Sequence, residues 1–506
     1  MIERSAGVLL HITSLAGKYG IGTLGKEAYD FVDFLKLAKI TYWQVLPIYH
    51  SALGNSPYSV YSTFAGNPLF IDLDDLIAQK LLRDEDLKNI KWGNQDNTID
   101  YDIVNKYKTK LLHQAFNNFD LNNKEFLIFI KNEEEWLIPY AKFMTLSECF
   151  KGLEWHDWPK EYFDIDGRKT CALLAQNKKS LQYYIFIQFI FYQQWYKLKN
   201  YANVSGVRII GDIPIYVAYN SADVYTNKEL FDLNEDGKLE NVAGCPPDSY
   251  AENGQKWGNP LYRWDVHKKS DYYWWTKRIK HSLALHDVLR IDHFRGFDAY
   301  FAIPFISEAK DGKWLKGPGI DFFNIIKKRL GDIELIAEDL GYMTASLKTL
   351  LQATNYPGMK VLQFAFDSKG DMNSDYLPHN INENSVAYIG THDNDTLLGW
   401  YKNACRDDIA YAMEYLGADN LDNFIKLIFK ALWMSKASLA VVTAQDILKL
   451  DSDARMNVPS IPSGNWAWKL KEDDLNDALA KKIAQQMDLY GRSNNKKKRD
   501  FEVNLM

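Results

Sequence analysis

The stretch VLRIDHFRG, residues 288–296, is an apolar run that ends in charged side chains. In a β-strand, alternate side chains point to opposite faces, so Arg290 and Asp292 share one face and Ile291 points to the other. Burying an arginine beside an aspartate is unfavourable unless the two groups pair or serve a function. The stretch therefore predicts a buried strand whose charged end has a functional role.

Eight short apolar runs of this kind occur along the chain, and near-continuous apolar runs are typical of buried parallel strands. The runs are GVLLHITS (7–14), YWQVLPI (42–48), VRIIGDIPIYV (207–217), VLRIDHF (288–294), ELIAEDLG (334–341), KVLQFAF (360–366), SVAYIGTHDND (385–395) and SLAVVTAQD (438–446). Helical patterns such as KEAYDFVDFLKLAK (26–39) and DFFNIIKKRL (321–330) lie between them. This alternation predicts an α/β protein built on a (β/α)₈ TIM barrel. An open doubly wound sheet remains the alternative, because strand closure cannot be read from a sequence.

The uneven spacing of the predicted strands divides the chain into four parts. Residues 1–74 hold strands one and two, and the helix-rich residues 75–200 predict an inserted helical subdomain, since a crossover needs far fewer residues. Residues 201–452 hold the rest of the barrel, including a turn-rich insertion at 218–285 that we expect to contact substrate. Residues 453–506 predict a loop and helix that pack on the barrel; they are too few and too helical for a trailing all-β domain.

The overall composition is that of a soluble globular protein and excludes several classes of function. The chain has 506 residues, of which 46% are hydrophobic and 25% charged, and a net charge of −6, which gives no electrostatic reason to expect a nucleic-acid partner. The basic run KKKR at 496–499 lies in a polar tail and predicts a solvated segment rather than a binding patch. The sequence contains no apolar span of 18 residues, so we expect no membrane partner. Four scattered cysteines without a CxxC pair, and no signal-like leader, predict a cytoplasmic protein.

Two motifs imitate cofactor or metal sites. GIGTLG (20–25) matches the dinucleotide fingerprint, but it does not directly follow a strand, and the next strand ends without an acidic residue. A loop that turns into a helix at Lys26 is the better interpretation. DLNEDG (232–237) begins like a calcium loop, but Ala243 stands at the twelfth position, where a bidentate glutamate is required. A polar turn is the better interpretation there, and we expect no cofactor and no metal.

Carboxylates collect at the predicted strand ends, which is where the active sites of these barrels lie. They are Asp212, Asp292, Glu338 with Asp339, Asp393 with Asp395, and Asp446. Candidate partners stand close by in the sequence: Arg290, His293, Arg295 and His392. Single strand-end aspartates are often helix caps, and a divalent metal is the main competing explanation for the group. Aromatic residues, 14% of the chain and frequent in the polar loops, favour sugar binding over the metal.

The motifs GDIPIYV, RIDHFRG, IAEDLG and THDN, in this order, resemble the four strand-end regions of the α-amylase clan of glycoside hydrolases and transglycosidases. LLHITSL, NSPYS, PPDSYAENGQKWGNPLY, KWLKGPG and the late RMN…GNWAW narrow the resemblance to the 4-α-glucanotransferases, also called amylomaltases or disproportionating enzymes. The resemblance extends over residues 4–470. It departs from the family pattern at several positions, of which Ser249, in place of an aromatic residue, bears on acceptor stacking.

The resemblance implies a retaining double displacement that transfers α-1,4-glucan segments between maltooligosaccharides. It implies that Asp292 is the nucleophile, Glu338 the general acid/base and Asp393 the third carboxylate, which holds ring hydroxyls. The implied substrate contacts are Arg290, His392, Asp212, Tyr58, Ser56, Asp248, Tyr250, Trp257, His293 and Asn394. Retention predicts that the carboxyl groups of Asp292 and Glu338 lie ~5–5.5 Å apart.

Two other functions remain open at this point. An α-glucan hydrolase of the same clan shares the covalent intermediate and differs in that water intercepts it. A catalytically inactive glucan-binding protein is the third alternative, against which the presence of all three carboxylates counts.

Overall fold

The computed structural model describes residues 2–52, 54–93, 97–247, 253–370, 373–461 and 463–493. Twelve strands lie in these residues, numbered along the chain. They are β1 Ser5–Leu9, β2 Tyr42–Gln44, β3 Arg208–Ile213, β4 Asn241–Cys245, β5 Gln255–Pro260, β6 Val288–Ile291, β7 Ala299–Pro304, β8 Lys313–Lys316, β9 Leu335–Ala337, β10 Gly358–Val361, β11 Ser385–Tyr388 and β12 Leu439–Thr443.

Eight of these strands form a closed parallel barrel, in the order β1-β12-β11-β10-β9-β6-β3-β2. Each overlaps one of the eight apolar runs that the sequence predicts, although β1 and β10 begin two residues before theirs, so the (β/α)₈ barrel is confirmed and the open sheet is wrong. The ring closes where β1 pairs with both β12 and β2. Every residue of β1, β11 and β12 is buried, which explains why these strands are continuously apolar.

Seventeen α-helices lie in the part of the chain that the structure describes. They are α1 Lys26–Leu37, α2 Leu73–Ala78, α3 Asp84–Leu87, α4 Tyr101–Asn117, α5 Lys124–Cys149, α6 Arg168–Gln176, α7 Lys178–Val204, α8 Ala222–Thr226, α9 Trp264–Lys269, α10 Tyr273–Leu285, α11 Ile320–Leu330, α12 Ala345–Thr354, α13 Leu397–Asn403, α14 Arg406–Leu416, α15 Leu421–Met434, α16 Ala444–Ile447 and α17 Asp477–Leu489. Helix α1 begins at Lys26, as the interpretation of GIGTLG predicts. Of these helices, none has an apolar stretch long enough to cross a membrane.

Helices α2–α7 occupy the connection between β2 and β3, where the sequence predicts an inserted helical subdomain. The two long helices α5 and α7 pack along each other, and their contacts include Phe126 with Phe189 and Trp136 with Tyr192. Helix α7 also packs on α1 and β3. The Nε1 of Trp195 donates to the carbonyl of Leu285 over 3.0 Å, which ties α7 to the barrel helix α10.

A second sheet, antiparallel and in the order β5-β4-β7-β8, accompanies the barrel. Its strands lie on both sides of β6 in the sequence: β4 and β5 come from the insertion at 218–285, and β7 and β8 follow β6. The sequence predicts turns in that insertion, so this sheet is a feature that the structure adds. At the other end of the chain, α17 packs on α1.

Candidate active site

The barrel register brings Asp292 and Glu338 to neighbouring positions. Strand β6 pairs in parallel with β9, with Ile291 opposite Ala337, and Asp292 and Glu338 are the residues that follow this pair. On its other side, β6 pairs with β3, and Asp212 stands opposite Arg290. The charged side chains therefore meet at the carboxyl ends of three adjacent strands, as the sequence predicts.

Arg290 is buried between two carboxylates. Its Nη1 donates to Asp212 Oδ2 over 2.6 Å and its Nη2 donates to Asp292 Oδ1 over 2.9 Å. Burial lowers the pKa of Arg290, but the charges of Asp212 and Asp292 outweigh burial and hold that pKa well above its ordinary value. The side chain of Asp292 is 29% exposed, so its carboxyl group is held by Arg290 on one side and accessible on the other.

Asp212 is fully buried and supports this pair from behind. Its Oδ2 also accepts a hydrogen bond of 2.7 Å from the hydroxyl of Tyr58, while its Oδ1 has no hydrogen-bond partner. Burial raises the pKa of Asp212, against the lowering effect of Arg290. Asp212 therefore acts on Arg290 and Tyr58, and it is not among the residues that line the cleft.

Backbone donors fix the carboxyl group of Glu338. Its Oε2 accepts from the N–H of His293 over 2.7 Å, and its Oε1 accepts from the N–H of Leu340 over 2.9 Å. Burial, and then the negative charge of Asp292, raise the pKa of Glu338 to about 8. A raised pKa favours the protonated form, which is the form that a general acid needs.

His293 joins the two strand ends through an unusual backbone conformation. Its φ of 52° lies in the left-handed region, which is uncommon for residues other than glycine, and this conformation directs its N–H to Glu338. Its ring contacts Trp257 edge to face at 5.0 Å, and burial lowers its pKa to about 4. Arg295 is differently placed: it donates to the carbonyl of Tyr342, and its guanidinium lies 4.1 Å from the ring centroid of Trp314.

Asp393 and His392 follow β11 on another side of the barrel mouth. Asp393 is 44% exposed, and its Oδ2 lies 3.3 Å from His392 Nε2. Asn457 donates to Asp393 Oδ1 over 2.6 Å, and Arg455 donates to the backbone carbonyl of Asp393. Sequence reasoning did not include these two residues in the site, although the RMN motif at 455–457 was noted as part of the resemblance.

Tyr58 links the two halves of the site. Its hydroxyl contacts Asp212 and lies 2.9 Å from His392 Nε2, and its ring stacks on His392 with centroids 5.3 Å apart. Trp466 packs against the ring of Tyr58, with ring centroids 5.8 Å apart. Sequence reasoning also missed Trp466 as a site residue. Ser56 positions this segment, because its Oγ accepts from the N–H of Tyr58 over 3.2 Å.

A cleft of about 1170 Å³ opens over these side chains. Asp292, His293, His392 and Asp393 lie in its wall with Ser56, Tyr58 and Trp257. This volume exceeds that of an ordinary small-molecule pocket and suits an extended ligand. Asp248 and Tyr250, the other expected acceptor contacts, lie outside the described residues.

Several strand-end polar residues have structural partners. The Oδ1 of Asn394 accepts from the N–H and the hydroxyl of Thr391, which closes a turn, and Asn394 is not among the residues that line the cleft. Asp339 accepts from the N–H of Met359, Asp395 from the hydroxyl of Ser452, and Asp446 from the N–H of Leu397. These three aspartates join neighbouring elements, as the cap interpretation of strand-end carboxylates describes.

The predicted polar turn at 232–237 is formed. Asn234 Oδ1 accepts from the N–H groups of Asp236 and Lys238, Asp232 accepts from the side chain of Asn241, and Asp236 pairs with Lys160. Within the described ranges, no group of three or more His, Cys, Asp or Glu side chains is arranged to hold a metal ion. The carboxylates at the barrel mouth have Arg290, backbone N–H groups and Asn457 as partners instead.

Known proteins resemble the whole chain. A model of the 4-alpha-glucanotransferase family matches residues 10–476. The 4-alpha-glucanotransferase of Clostridium butyricum is 44% identical over 491 residues, which cover 96% of this chain and 100% of that protein. The 4-alpha-glucanotransferase of Streptococcus pneumoniae is 42% identical over 501 residues, 98% of each chain. The solved structure of the amylomaltase from Streptococcus agalactiae in complex with acarbose has a TM-score of 0.94 and 38% identity, and the match covers 97% of this chain and 100% of that one.

These matches agree with the resemblance that the sequence motifs predict, and they favour a transferase over the hydrolase alternative. They extend over nearly the full length of both partners, so the inserted helices and the second sheet are included in the match. The chain therefore belongs to the family of 4-alpha-glucanotransferases.

Proposed function

We propose that this protein transfers α-1,4-glucan segments between maltooligosaccharides through a covalent glycosyl-enzyme intermediate. One observation carries the proposal: Asp292, paired with Arg290, and Glu338, whose pKa is raised, follow paired residues of two adjacent strands, and Asp292 lies in the cleft wall. A nucleophile and an acid in this relation are what a retaining glycoside transfer requires. The proposal includes the prediction that the carboxyl groups of Asp292 and Glu338 lie ~5–5.5 Å apart.

In the first step, an Asp292 carboxylate oxygen attacks the anomeric carbon while Glu338 gives its proton to the glycosidic oxygen that leaves. The hydrogen bond from Arg290 holds Asp292 Oδ1 in position before the attack. The bond to the leaving sugar breaks as the ester bond to Asp292 forms, and Glu338 becomes a carboxylate. The shortened glucan departs with the proton of Glu338 on its new hydroxyl.

In the second step, Glu338 takes the proton of an acceptor 4-hydroxyl, whose oxygen attacks the anomeric carbon and releases Asp292. The ester has no charge, so one of the causes that raise the pKa of Glu338 is absent in the intermediate, while the positive charge of Arg290 still lowers it. Glu338 therefore binds a proton less tightly at that stage, and its carboxylate form is available as the general base. The cycle ends with both side chains in their initial states.

Asp393 and His392 are proposed to bind hydroxyl groups of the reacting glucose unit. Asp393 is the more exposed of the two and is held by Asn457, so its second oxygen can accept from a sugar hydroxyl. Hydrogen bonds to the ring hydroxyls that strengthen in the transition state contribute to glycoside cleavage. Tyr58, which stacks on His392, maintains the position of that ring.

Transfer also requires that a sugar hydroxyl reaches the intermediate in place of water. Trp257 lies in the cleft wall against His293 and offers an aromatic face for an acceptor sugar. The expected contacts of Asp248 and Tyr250 belong to the same proposed acceptor region. For its location, we propose the cytoplasm, because scattered cysteines without a paired motif suit a reducing compartment.

Incubation with maltotriose tests the proposal. We expect glucose together with a ladder of longer maltooligosaccharides, resolved by chromatography, and products that keep the α-configuration in proton NMR. Asp292→Asn and Glu338→Gln are expected to lower the rate by several orders of magnitude, whereas Asn380→Ala, at an exposed site, serves as the control. Shortening of maltotriose without longer products would indicate a hydrolase, and inverted products would exclude the covalent intermediate.

A further inference from the structure

The turn between β7 and β8 exposes two apolar side chains at its tip. The N–H of Ser307 donates to the carbonyl of Pro304 over 2.9 Å, so Phe305 and Ile306 are the central residues of the turn. Phe305 is 48% exposed and Ile306 is 95% exposed. Central turn residues are usually small or polar, and adjacent exposed apolar groups at a cleft indicate contact with a ligand or partner.

Three hydrogen bonds hold this turn in place. The N–H of Phe305 donates to the carbonyl of Glu240 over 2.9 Å. Lys256 Nζ donates to the carbonyl of Phe305 and, over 3.0 Å, to that of Ser307. The same ammonium group lies 5.2 Å from the ring centroid of Phe305. The backbone that carries the phenyl ring is therefore held in place by these bonds, which reduces the entropy lost when a ligand orders the turn.

The fixed ring is continuous with the active-site cleft. Phe305 lies in the wall of the same cleft as Asp292, and so do Gln255 and Trp257 of β5. Lys256 stands between those two residues in β5 and ties the turn to that strand. The strand that carries Trp257 thus also sets the position of Phe305.

We propose that Phe305, positioned by Lys256, binds glucose units beyond those that contact Trp257, so that the enzyme favours longer glucan chains. The occupant is the remote part of the same α-glucan chain that enters the cleft, because the ring and the reacting groups share one wall. This inference rests on the proposed function and adds a chain-length preference to it. The apolar face of a sugar ring stacks on the phenyl ring, and Ile306 extends the apolar surface at its edge.

The test compares kcat/KM for maltotriose and for maltoheptaose in the full-length protein. Phe305→Ala is expected to lower the ratio of the maltoheptaose value to the maltotriose value by about two- to tenfold, the range of one aromatic contact. Phe305→Trp is expected to keep or raise the ratio. Lys256→Met, which removes the tether, is expected to lower it less than Phe305→Ala does. Tyr196→Ala, a partly exposed aromatic residue on α7, is the matched control and should not change the ratio.

An unchanged ratio in Phe305→Ala, with the wild-type unfolding midpoint, would overturn the inference. So would an equal loss for both substrates, because that result would place Phe305 at the reacting glucose units. Failure of the proposed function gives a different result, since the wild-type protein would then form no longer products from maltotriose.

Discussion

At the residue scale, the ionisation of Glu338 links the structure to a measurable pH dependence. Burial and the charge of Asp292 raise its pKa to about 8, far above the ~4.3 of a free glutamate. The first step needs the protonated form, which prevails below that pKa. We expect kcat/KM for maltotriose to be lost as the pH rises through about 8, with an acid limb set by other groups.

A pH–rate profile of kcat/KM, which reports on the free enzyme, checks this expectation. A second measurement separates the cause: Asp292→Asn removes the neighbouring charge, so the pKa of Glu338 in that variant should be lower when it is followed by NMR titration. An alkaline limb above pH 9.5 would contradict the assignment of Glu338 as the acid, and a Glu338 pKa that does not respond to Asp292→Asn would contradict the contribution of the Asp292 charge.

Asn457 is predicted to be a positioning residue for Asp393. Its side chain donates to Asp393 Oδ1, and Asp393 is otherwise substantially exposed. A hydrogen bond to a charged group contributes about 1.5–3 kcal/mol, so Asn457→Ala is expected to lower kcat/KM by roughly 10- to 100-fold. Asn457→Asp should be worse, because it places a second negative charge against Asp393.

The split between kcat and KM distinguishes positioning from general damage. Asp393 is proposed to bind more tightly in the transition state, so the loss in Asn457→Ala should fall mainly on kcat. Asn380→Ala is the control for amide removal at the surface. A loss of thermal stability that accounts for the lost activity would speak against the positioning role.

At the element scale, the strand ends were predictable and much of their surroundings was not. All eight barrel strands could be read from the sequence because most of their residues are buried, which favours near-continuous apolar runs; β10, whose alternate residues are partly buried, is the weakest case. Strand β5 has one buried residue and β8 has none, and the GNP of β5 reads as a turn, so the second sheet gave no such signal. Asn457 was missed because 64 residues separate it from Asp393, and no periodicity brings that loop to strand β11.

Asp446 shows how one strand-end carboxylate joins two elements. It follows β12 and accepts from the N–H of Leu397, the first residue of α13, at a fully buried position. Burial raises its pKa to about 6. A carboxyl group with a raised pKa in the folded state binds more protons folded than unfolded, so its contribution to the free energy of unfolding declines between pH ~3.9 and about 6 and stays lost above.

Asp446→Asn keeps an acceptor for Leu397 and removes this loss. We expect it to raise the free energy of unfolding by about 1–3 kcal/mol at pH 7.5 and by much less at pH 4. Urea denaturation at both pH values measures the difference. Asp451→Asn is the control, and it is expected to lower the free energy of unfolding at pH 7.5. The reason is that a hydrogen bond from Lys402 lowers the pKa of Asp451, so its carboxylate form is favoured in the folded protein. Equal effects of Asp446→Asn at the two pH values would show that its charge is not the cause.

At the scale of the whole molecule, the two ends of the described chain meet where the barrel closes. Strand β1 begins at Ser5 and pairs with β12, so the first and last barrel strands are neighbours. Arg492, which follows α17, is buried at this junction and donates to the carbonyls of Ser5, Ala437 and Trp433. Its guanidinium also reaches Leu432 and Ser435, at the carboxyl end of α15, where backbone carbonyls lack helical partners.

Arg492 therefore joins β1, the approach to β12 and the end of α15. Arg492→Met leaves several buried carbonyl oxygens without donors, and we expect it to lower the free energy of unfolding by roughly 3–5 kcal/mol. The residue is not part of the cleft wall, so kcat/KM at 25 °C should stay at the wild-type value. Arg492→Lys has three donors in place of five, so its free energy of unfolding should lie between those of the wild type and of Arg492→Met.

Guanidinium chloride unfolding, followed by tryptophan fluorescence and by residual transferase activity, tests this closure. If the barrel closes through Arg492, both probes in Arg492→Met should shift together to a lower midpoint, because opening the β1–β12 seam disturbs the whole ring of strands. Arg406→Met, at an exposed position on α14, should leave the midpoint unchanged. Two results would contradict this role of Arg492: a fluorescence midpoint that stays at the wild-type value, or a loss of activity before any unfolding. Either would show that strand pairing closes the barrel without Arg492.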